Sequence, residues 1–307
     1  MLGGDGSWDY IAVDTARNRL FIARADRMMV LDEHTGKLLG EIGGLDRAHG
    51  VAFAYPTGRG FITSGEDSTV AMFDLATLKP LGKIGVSVDD DATQYDPASR
   101  DVFTFNGDAE SASVIDPVAG KRVATIPLGG KPEFGVTDGA GHLFVNIADK
   151  NEVVELDATT RTVTRRWAVP CTEPTSLAVD VAHQRLFSGC RSKTLVVSDA
   201  AAGKVVATVP IGGGVDAGRF DPATGDVFTS NGDGTLTVIH EDAPNRYHVV
   251  QTVPTMPGAR TMELDPRTHT IYTVSAKFGP RPAPTAANPH PYPPVLPGTF
   301  TLLVMQR

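Results

Sequence analysis

Seven stretches of this 307-residue chain repeat one form: an apolar-x-apolar run, an aspartate or its equivalent, a short turn, and a second run resembling Arg-Leu-Phe. They read "IAVDTARNRLFIA", "VAFAYPTGRGFIT", "TQYDPASRDVFTF", "GVTDGAGHLFVNI", "LAVDVAHQRLFSG", "GRFDPATGDVFTS" and "MELDPRTHTIYTV". Their anchors, Asp14, Tyr55, Asp96, Asp138, Asp180, Asp221 and Asp265, stand 41, 41, 42, 42, 41 and 44 residues apart. A period of about 40 residues with four strand-like runs per unit marks a β-propeller, each unit forming one blade. The expected fold is all-β, a single domain over residues 1–307 with seven blades of four antiparallel strands.

Within a unit, "GVDAGRFDPATGDVFTSNGDGTLTVIHED" gives two strands joined by an Asp-Pro turn, then an Asn-Gly-Asp-Gly turn and a third strand; "HVVQTVP" is the fourth. Proline presets φ at turn entry, and the aspartate carboxylate accepts a local backbone hydrogen bond. The anchor aspartates are therefore structural. Asn-Gly and Gly-Asp supply the positive φ of tight reversals, which explains why "FNGDAES" and "SNGDGTL" recur between the second and third strands. The last unit ends at its third strand, "TFTLLVMQR". Either blade seven has three strands or the natural chain begins upstream of Met1, and the second is the expectation, because an unclosed ring leaves strand edges exposed.

Composition narrows the function classes. A formal net charge of −8 argues against duplex nucleic acid, whose phosphates need concentrated Lys and Arg. No run of 18 apolar residues exists, so no helix of this chain is expected to span a membrane. The start, "MLGGDGSWDY", lacks a basic segment followed by an apolar one, so an exported protein would have lost its leader already. There is no Gly-x-Ser-x-Gly elbow and no Walker-type loop; Gly129-Gly130 and Gly212-Gly213-Gly214 recur at one blade position as inter-blade turns.

The segments "RLFIARADRMMVLDEHTGKLLGEI", "LFVNIADKNEVVELDATT" and "VFTSNGDGTLTVI" resemble the YVTN-type β-propeller family of bacterial, mostly exported, seven-bladed proteins, and the resemblance covers nearly the whole chain. The YVTN signature itself is absent, the nearest matches being "IYTVSA" and "LFVNIA". The resemblance implies the fold and a periplasmic or secreted location. Single-stranded DNA binding, reported for one branch of the family, is opposed here by the acidic residues described next.

In a propeller the innermost strand of each blade lines a central channel, and the inter-blade loops share one face with the turns between second and third strands. Five residues before each anchor the chain should enter the channel mouth. Those positions read Asp9, Gly50, Asp91, Glu133, Thr175, Asp216 and Arg260; His49, Asp90 and Glu173 lie one or two residues away, and Trp8 adjoins Asp9. Carboxylates crowded on one axis repel and raise one another's pKa unless a cation compensates. One reading is a solvated channel in which Arg260 neutralises an acid and water does the rest. The other is a divalent cation held by Asp91, Glu133 and Asp216, with the amides of Asn106, Asn146 or Asn231 close by. Oxygen ligands alone suit calcium or magnesium, whereas His49 leaves a transition metal open.

Such an ion would polarise a lactone or ester carbonyl while His49 or a spare carboxylate such as Glu133 took a proton from water, with Arg260 beside them. The same parts serve a lyase. Gluconolactonase and paraoxonase propellers carry axial metal sites, an analogy of architecture alone. The competing classes are a small-molecule binding module and a protein-interaction platform, each as a monomer. The segment 276–300 carries eight prolines where other blades use a short turn, so it is either a lid bringing His290 and Tyr292 to the mouth or a solvated polyproline excursion. His34, His142, His183, His240, His248 and His269 fall near turns on the opposite face and read as surface residues.

Cys171 and Cys190 are the only cysteines. Cys171 is placed at the start of the first strand of blade five and Cys190 at the end of its second, so antiparallel pairing brings both to the top face within disulfide range. A disulfide implies an oxidising compartment. The alternatives are two buried thiols in a cytoplasmic protein or a soft-metal site.

Overall fold

The structure, a computed structural model, describes residues 1–4, 6–243, 245–285 and 291–306. Among these, 27 strands form seven antiparallel sheets, six of four strands and a last one of three. The sheets are the seven blades, and each is a meander with strands in chain order from axis to rim. The innermost strands are Trp8–Asp14, Ala48–Ala54, Asp90–Tyr95, Pro132–Thr137, Pro174–Asp180, Val215–Asp221 and Met262–Asp265. Each packs beside the next, and Trp8–Asp14 packs beside Met262–Asp265, so the ring closes.

The burial of each strand follows from its distance to the axis. Second strands such as Arg185–Cys190 and Thr270–Ser275 are buried almost throughout, because both faces of a blade meet a neighbouring blade. Outer strands such as Pro80–Gly85 bury a single side chain, the penultimate Ile84, and leave the rest to solvent. A fully buried Phe or Ile contributes about 1.5–3 kcal/mol relative to exposure, and the blade interfaces are filled with such residues: Phe21, Phe61, Phe73, Phe103, Phe105 and Phe187 are inaccessible. Gly60 makes room for one of them, since a Cβ there would lie 2.1 Å from the Phe73 ring.

The anchor aspartates hold turns and neighbours together. Asp180 Oδ1 accepts the amides of Ala182 and His183, and Asp221 Oδ1 accepts that of Ala223. Across blade interfaces the Tyr55 hydroxyl donates to Asp14, the Thr137 hydroxyl to Asp96, and His269 Nδ1 meets Asp221 Oδ2 at 2.7 Å. Tyr55, the one non-aspartate anchor, opens a short 3-10 turn, Tyr55–Thr57, in place of the Asx turn.

Cys171 and Cys190 form a disulfide with Cα atoms 6.1 Å apart. Cys171 stands ahead of the innermost strand of blade five rather than in it, and Pro174 is the residue paired with Cys190. Blade seven has three strands among the described residues, Met262–Asp265, Thr270–Ser275 and Thr301–Met305. Its long insertion returns on itself as a small ladder: Phe278 pairs with Val295, the Gly279 amide donates to Pro294, and the Leu296 amide donates to Lys277.

Candidate functional site

The tops of six of the seven innermost strands depart from regular pairing; Met262–Asp265 does not. Register shifts fall between Trp8 and Ile11, Ala48 and Val51, Pro132 and Gly135, Pro174 and Ser176, and Val215 and Ala217, and opposite Thr104 to Asn106 in blade three. A bulge inserts an extra residue and re-aims side chains, and bulges concentrate at barrel rims and next to sites. Here the displaced residues include Asp9, His49, Asp91, Glu133, Thr175 and Asp216, the set that counting back from the anchors picks out, with His49 taking the place of Gly50. Ahead of several bulges the chain passes through a left-handed residue: Arg47, Asp89, Glu173 and Gly214 have φ of 58, 60, 50 and 71°. Three of these carry a Cβ, and such residues are sparse outside turns and functional sites.

Side chains lash the tops of five innermost strands, or the residues just ahead of them, to a neighbouring blade. The Thr63 hydroxyl donates to the Asp91 carbonyl, Asn146 Nδ2 to Ser176, the Thr175 hydroxyl to Val215, Ser230 to Arg260, and the Thr261 hydroxyl to Asp9. These buried donors satisfy backbone carbonyls at the strand tops, which would otherwise carry a desolvation penalty.

The centre of the site is a triad. His49 Nδ1 makes a short contact with Asp9 Oδ2 and lies 3.2 Å from Asp91 Oδ1. One donor atom from each of Asp9, His49 and Asp91 falls within 4.8 Å of the others, a spacing that a metal ion could bridge. Burial opposes charge on His49, but the hydrogen bond to Asp9 and the charges of Asp91 and Asp9 outweigh it and lift its pKa to about 9. An imidazolium therefore stands where a cation would. His49 Nε2 and Asp90 Oδ1 are buried without a hydrogen-bond partner. Gly65 packs against that nitrogen so closely that a Cβ there would sit 2.9 Å away.

Around the triad the charges do not balance. Burial, then the charge of Asp216, lift the Glu133 carboxyl to about 7. Asp216 is raised by burial to about 6 although Arg260 Nε lies 3.0 Å from its Oδ2 and pulls the other way. Burial also raises Asp91, with the charges of Asp9, Glu133 and Asp216 adding to it and His49 opposing. Four carboxylates, Asp9, Asp91, Glu133 and Asp216, thus face two basic groups in contact with them, His49 and Arg260, and the charge of Arg191 acts on Glu133 and Asp216 as well. Beneath them side chains meet across the axis. Tyr10 and Phe134, from blades one and four, pack edge to face with ring centroids 5.3 Å apart. The Tyr10 hydroxyl is 3.4 Å from Asp91 Oδ2, and the Arg219 guanidinium, paired with Glu263, lies 5.2 Å over Phe134. The site is an acidic cup with an aromatic floor.

Other residues expected at the mouth sit elsewhere. Asn106 is buried in its own hairpin, donating to the Ser111 carbonyl and the Ser113 hydroxyl, and Asn231 does the same with Thr235 and Thr237. Asn146 joins blades four and five through Ser176 and Ser188. Short amides at strand ends have backbone within reach, and that local demand takes them. Asp90 is buried and accepts the Ser64 amide, with burial lifting its pKa to about 6. Trp8 packs at a tilt against Phe278 and Phe300, with ring centroids 5.9 and 5.4 Å apart. Glu173 pairs with Arg191 on the surface at 3.4 Å. Tyr292 is 82% exposed. His290 lies outside the described residues.

Sequence reading passed over one cluster. At the opposite end of the molecule His183 Nδ1 meets Asp180 Oδ2 at 2.6 Å and Glu241 Oε2 at 3.9 Å, a second group with metal-compatible spacing. His183 is an exposed turn residue, and only the tertiary approach of Glu241 from blade six completes the group. Two cavities also lie off the axis. One of about 360 Å³ is lined by Asp138, Phe144, Arg165 and Val179 between blades four and five; one of about 420 Å³ is lined by Phe228, Val250, Val253 and Val304 between blades six and seven.

No protein-family model matches this sequence, and no curated protein does. Among solved structures the chain is similar to hydrazine synthase of Kuenenia stuttgartiensis, with a TM-score of 0.75 and 15% identity over 86% of this chain and 91% of that one. It is equally similar to U3-55K, with a TM-score of 0.75 and 10% identity over 88% of this chain and 89% of that one. At these identities the shared property is the frame. The chain is a seven-bladed antiparallel β-propeller.

Proposed function

We propose that this protein binds a small cation, a divalent metal ion in the first instance, in the acidic cup at the channel mouth. The observation that carries the reading is the excess of acid: Asp9, Asp91, Glu133 and Asp216 gather against His49 and Arg260, with only Arg191, itself paired with Glu173, adding to them. Aliphatic side chains would have stabilised the ring better, since buried like charges cost free energy unless something pairs them. Two aspartates and an imidazole form a mixed oxygen and nitrogen donor set, which suits manganese or zinc more than calcium. The disulfide fits an oxidising compartment, and with the YVTN-type resemblance it supports a periplasmic or secreted protein.

Glu133 favours an enzymatic reading as the second choice. Among the described residues its carboxyl has no hydrogen-bond partner, and a pKa of about 7 makes it a proton acceptor and donor at neutral pH. An ion on the triad would polarise a carbonyl, and Glu133 would move a proton for a hydrolase or lyase. Calorimetric titration of manganese, zinc and calcium into chelator-stripped protein tests the first reading. One saturable site is expected, lost in Asp91→Asn and weakened about 10–100-fold in Glu133→Gln. No heat from any ion, with the triad variant indistinguishable from the parent, would end the proposal.

A further inference from the structure

Blade six breaks the repeat in its outer hairpin, at the end away from the cup. In blades one to five the third strand ends in an aspartate, Asp32, Asp74, Asp116, Asp157 and Asp199, whose Oδ1 accepts an amide of the turn that follows. Blade six has His240 in that place, opposite Asp226 as Asp32 is opposite Arg19 and Asp199 opposite Arg185. An imidazole cannot gather turn amides as a carboxylate does. The hairpin accordingly runs on: Thr235–Ala243 and Arg246–Pro254 have nine residues each, against six and seven in blade five. A break in a local rule that the other blades keep is expected where function sets the sequence.

The extended hairpin sets two histidines side by side. His240 and His248 are direct partners across the two strands, so both side chains leave the same face, and their ring centroids stand 6.2 Å apart. Each gives its Nδ1 to a carboxylate of its own, His240 to Asp226 Oδ1 at 2.7 Å and His248 to Asp242 Oδ2 at 2.8 Å. An ionised carboxylate only accepts, so the proton of the neutral ring sits on Nδ1 and the lone pair on Nε2. Neither Nε2 has a hydrogen-bond partner among the described residues, and the side chains are 37% and 53% exposed. His142, His183 and His269 also meet an aspartate through Nδ1, but among the described residues only His240 and His248 adjoin one another. Two Nε2 atoms each about 2.1 Å from one ion bring ring centres to roughly 5 Å. The closure needed is about 1 Å, within reach of small χ rotations of exposed rings.

We propose that His240 and His248 bind one transition-metal ion of the copper, nickel and zinc class through their Nε2 atoms. Asp226 and Asp242 hold the two rings from behind, the arrangement in which a ligating imidazole gives its other nitrogen to a carboxylate, and water completes the shell. Calcium and magnesium, which take oxygen ligands, are not held here. The site is independent of the cup: it lies on the outer strands of one blade and shares no residue with the mouth.

The test adds copper(II) to the parent chain and to Asp91→Asn, in which the triad of the cup is broken, and reads the nitrogen ligands of the bound ion by electron paramagnetic resonance. Both proteins are expected to show a site with two imidazole nitrogens. His248→Gln should lose the two-nitrogen signal, and Asp242→Asn should keep both nitrogens while weakening binding by about tenfold or more, the effect of removing an outer carboxylate. Circular dichroism of each variant checks that the exposed substitutions leave the fold intact. The same nitrogens and the same affinity in His248→Gln overturn the proposal, and so does a failure of Asp91→Asn to hold copper through two nitrogens. Failure of the cup to bind an ion leaves the His248-dependent signal in place, so the two readings fall separately.

Discussion

Protonated His49 supplies a positive charge between Asp9 and Asp91, and this makes the site's stability a function of pH. The Glu133 carboxyl titrates near 7 in the fold against 4.5 ordinarily, so the folded state keeps a proton that the unfolded chain gives up, and stability falls as pH rises across that interval. Asp90 and Asp216, raised from 3.8 to about 6, add a fall of the same sign at lower pH. The stabilisation from the His49 imidazolium is whole below 6.5 and fades as pH climbs through about 9. All four trends point one way. Melting temperatures of chelator-stripped protein should therefore decline between about pH 5 and pH 9, Glu133→Gln should remove part of the decline below pH 7, and saturating divalent ion should flatten it. A flat profile in the stripped protein would contradict these assignments. Counting back from the anchors located the axial positions in the sequence, because the repeat fixes depth along each strand. It did not fix direction: His49 and not Gly50 faces the cup, and Trp8 turns toward Phe278 and Phe300, since a bulge adds a residue that no periodicity announces.

Strand and turn chemistry was legible wherever the demand is local. Asn106 and Asn231 close their hairpins as the Asn-Gly-Asp turns predict, and the same local bonding keeps their amides from the cup. The disulfide was legible too, because strand pairing alone brings Cys190 beside the segment that starts at Cys171. It closes a loop with a sequence separation of 19 within one blade, so its worth is an entropic restriction of the unfolded chain of about 3 kcal/mol. Cys171→Ser with Cys190→Ser, followed by denaturant unfolding, should lose about that much with the same native circular dichroism. A loss below ~0.5 kcal/mol would mean the bond restrains nothing that matters to folding. The cluster of Asp180, His183 and Glu241 was not legible, because it joins elements of two blades whose approach depends on tertiary packing.

Ring closure sets the behaviour of the whole molecule. Blades one and seven share no strand among the described residues; an apolar cluster that includes Ile11, Ile22, Tyr272 and Phe300 joins them, and polar clasps reinforce it. Arg267 Nη2 donates to Glu33 at 2.8 Å, its Nε to Asp265 at 2.9 Å, and its Nη1 reaches Asn18 at 2.9 Å and the Thr15 carbonyl. The Tyr272 hydroxyl donates to the other Glu33 oxygen, and buried Arg24 stacks over Phe300 with its guanidinium carbon 3.8 Å from the ring centroid. Arg267→Ala would leave Glu33 and Asp265 facing each other with little water, a loss of about 2–4 kcal/mol. Unfolding should then begin at the junction of the first and last blades, visible as early exchange of the amides in Trp8–Asp14 and Met262–Asp265. Uniform exchange around the ring would show that the clasp is incidental. The bulged mouth has a different consequence. Most blades present a side chain to the axis from the one stretch of their innermost strand that regular pairing does not govern, so these residues can be exchanged singly while the scaffold is conserved. The frame is built like a chuck with separate jaws, and altering one jaw at a time would reshape the mouth while leaving the frame as it is.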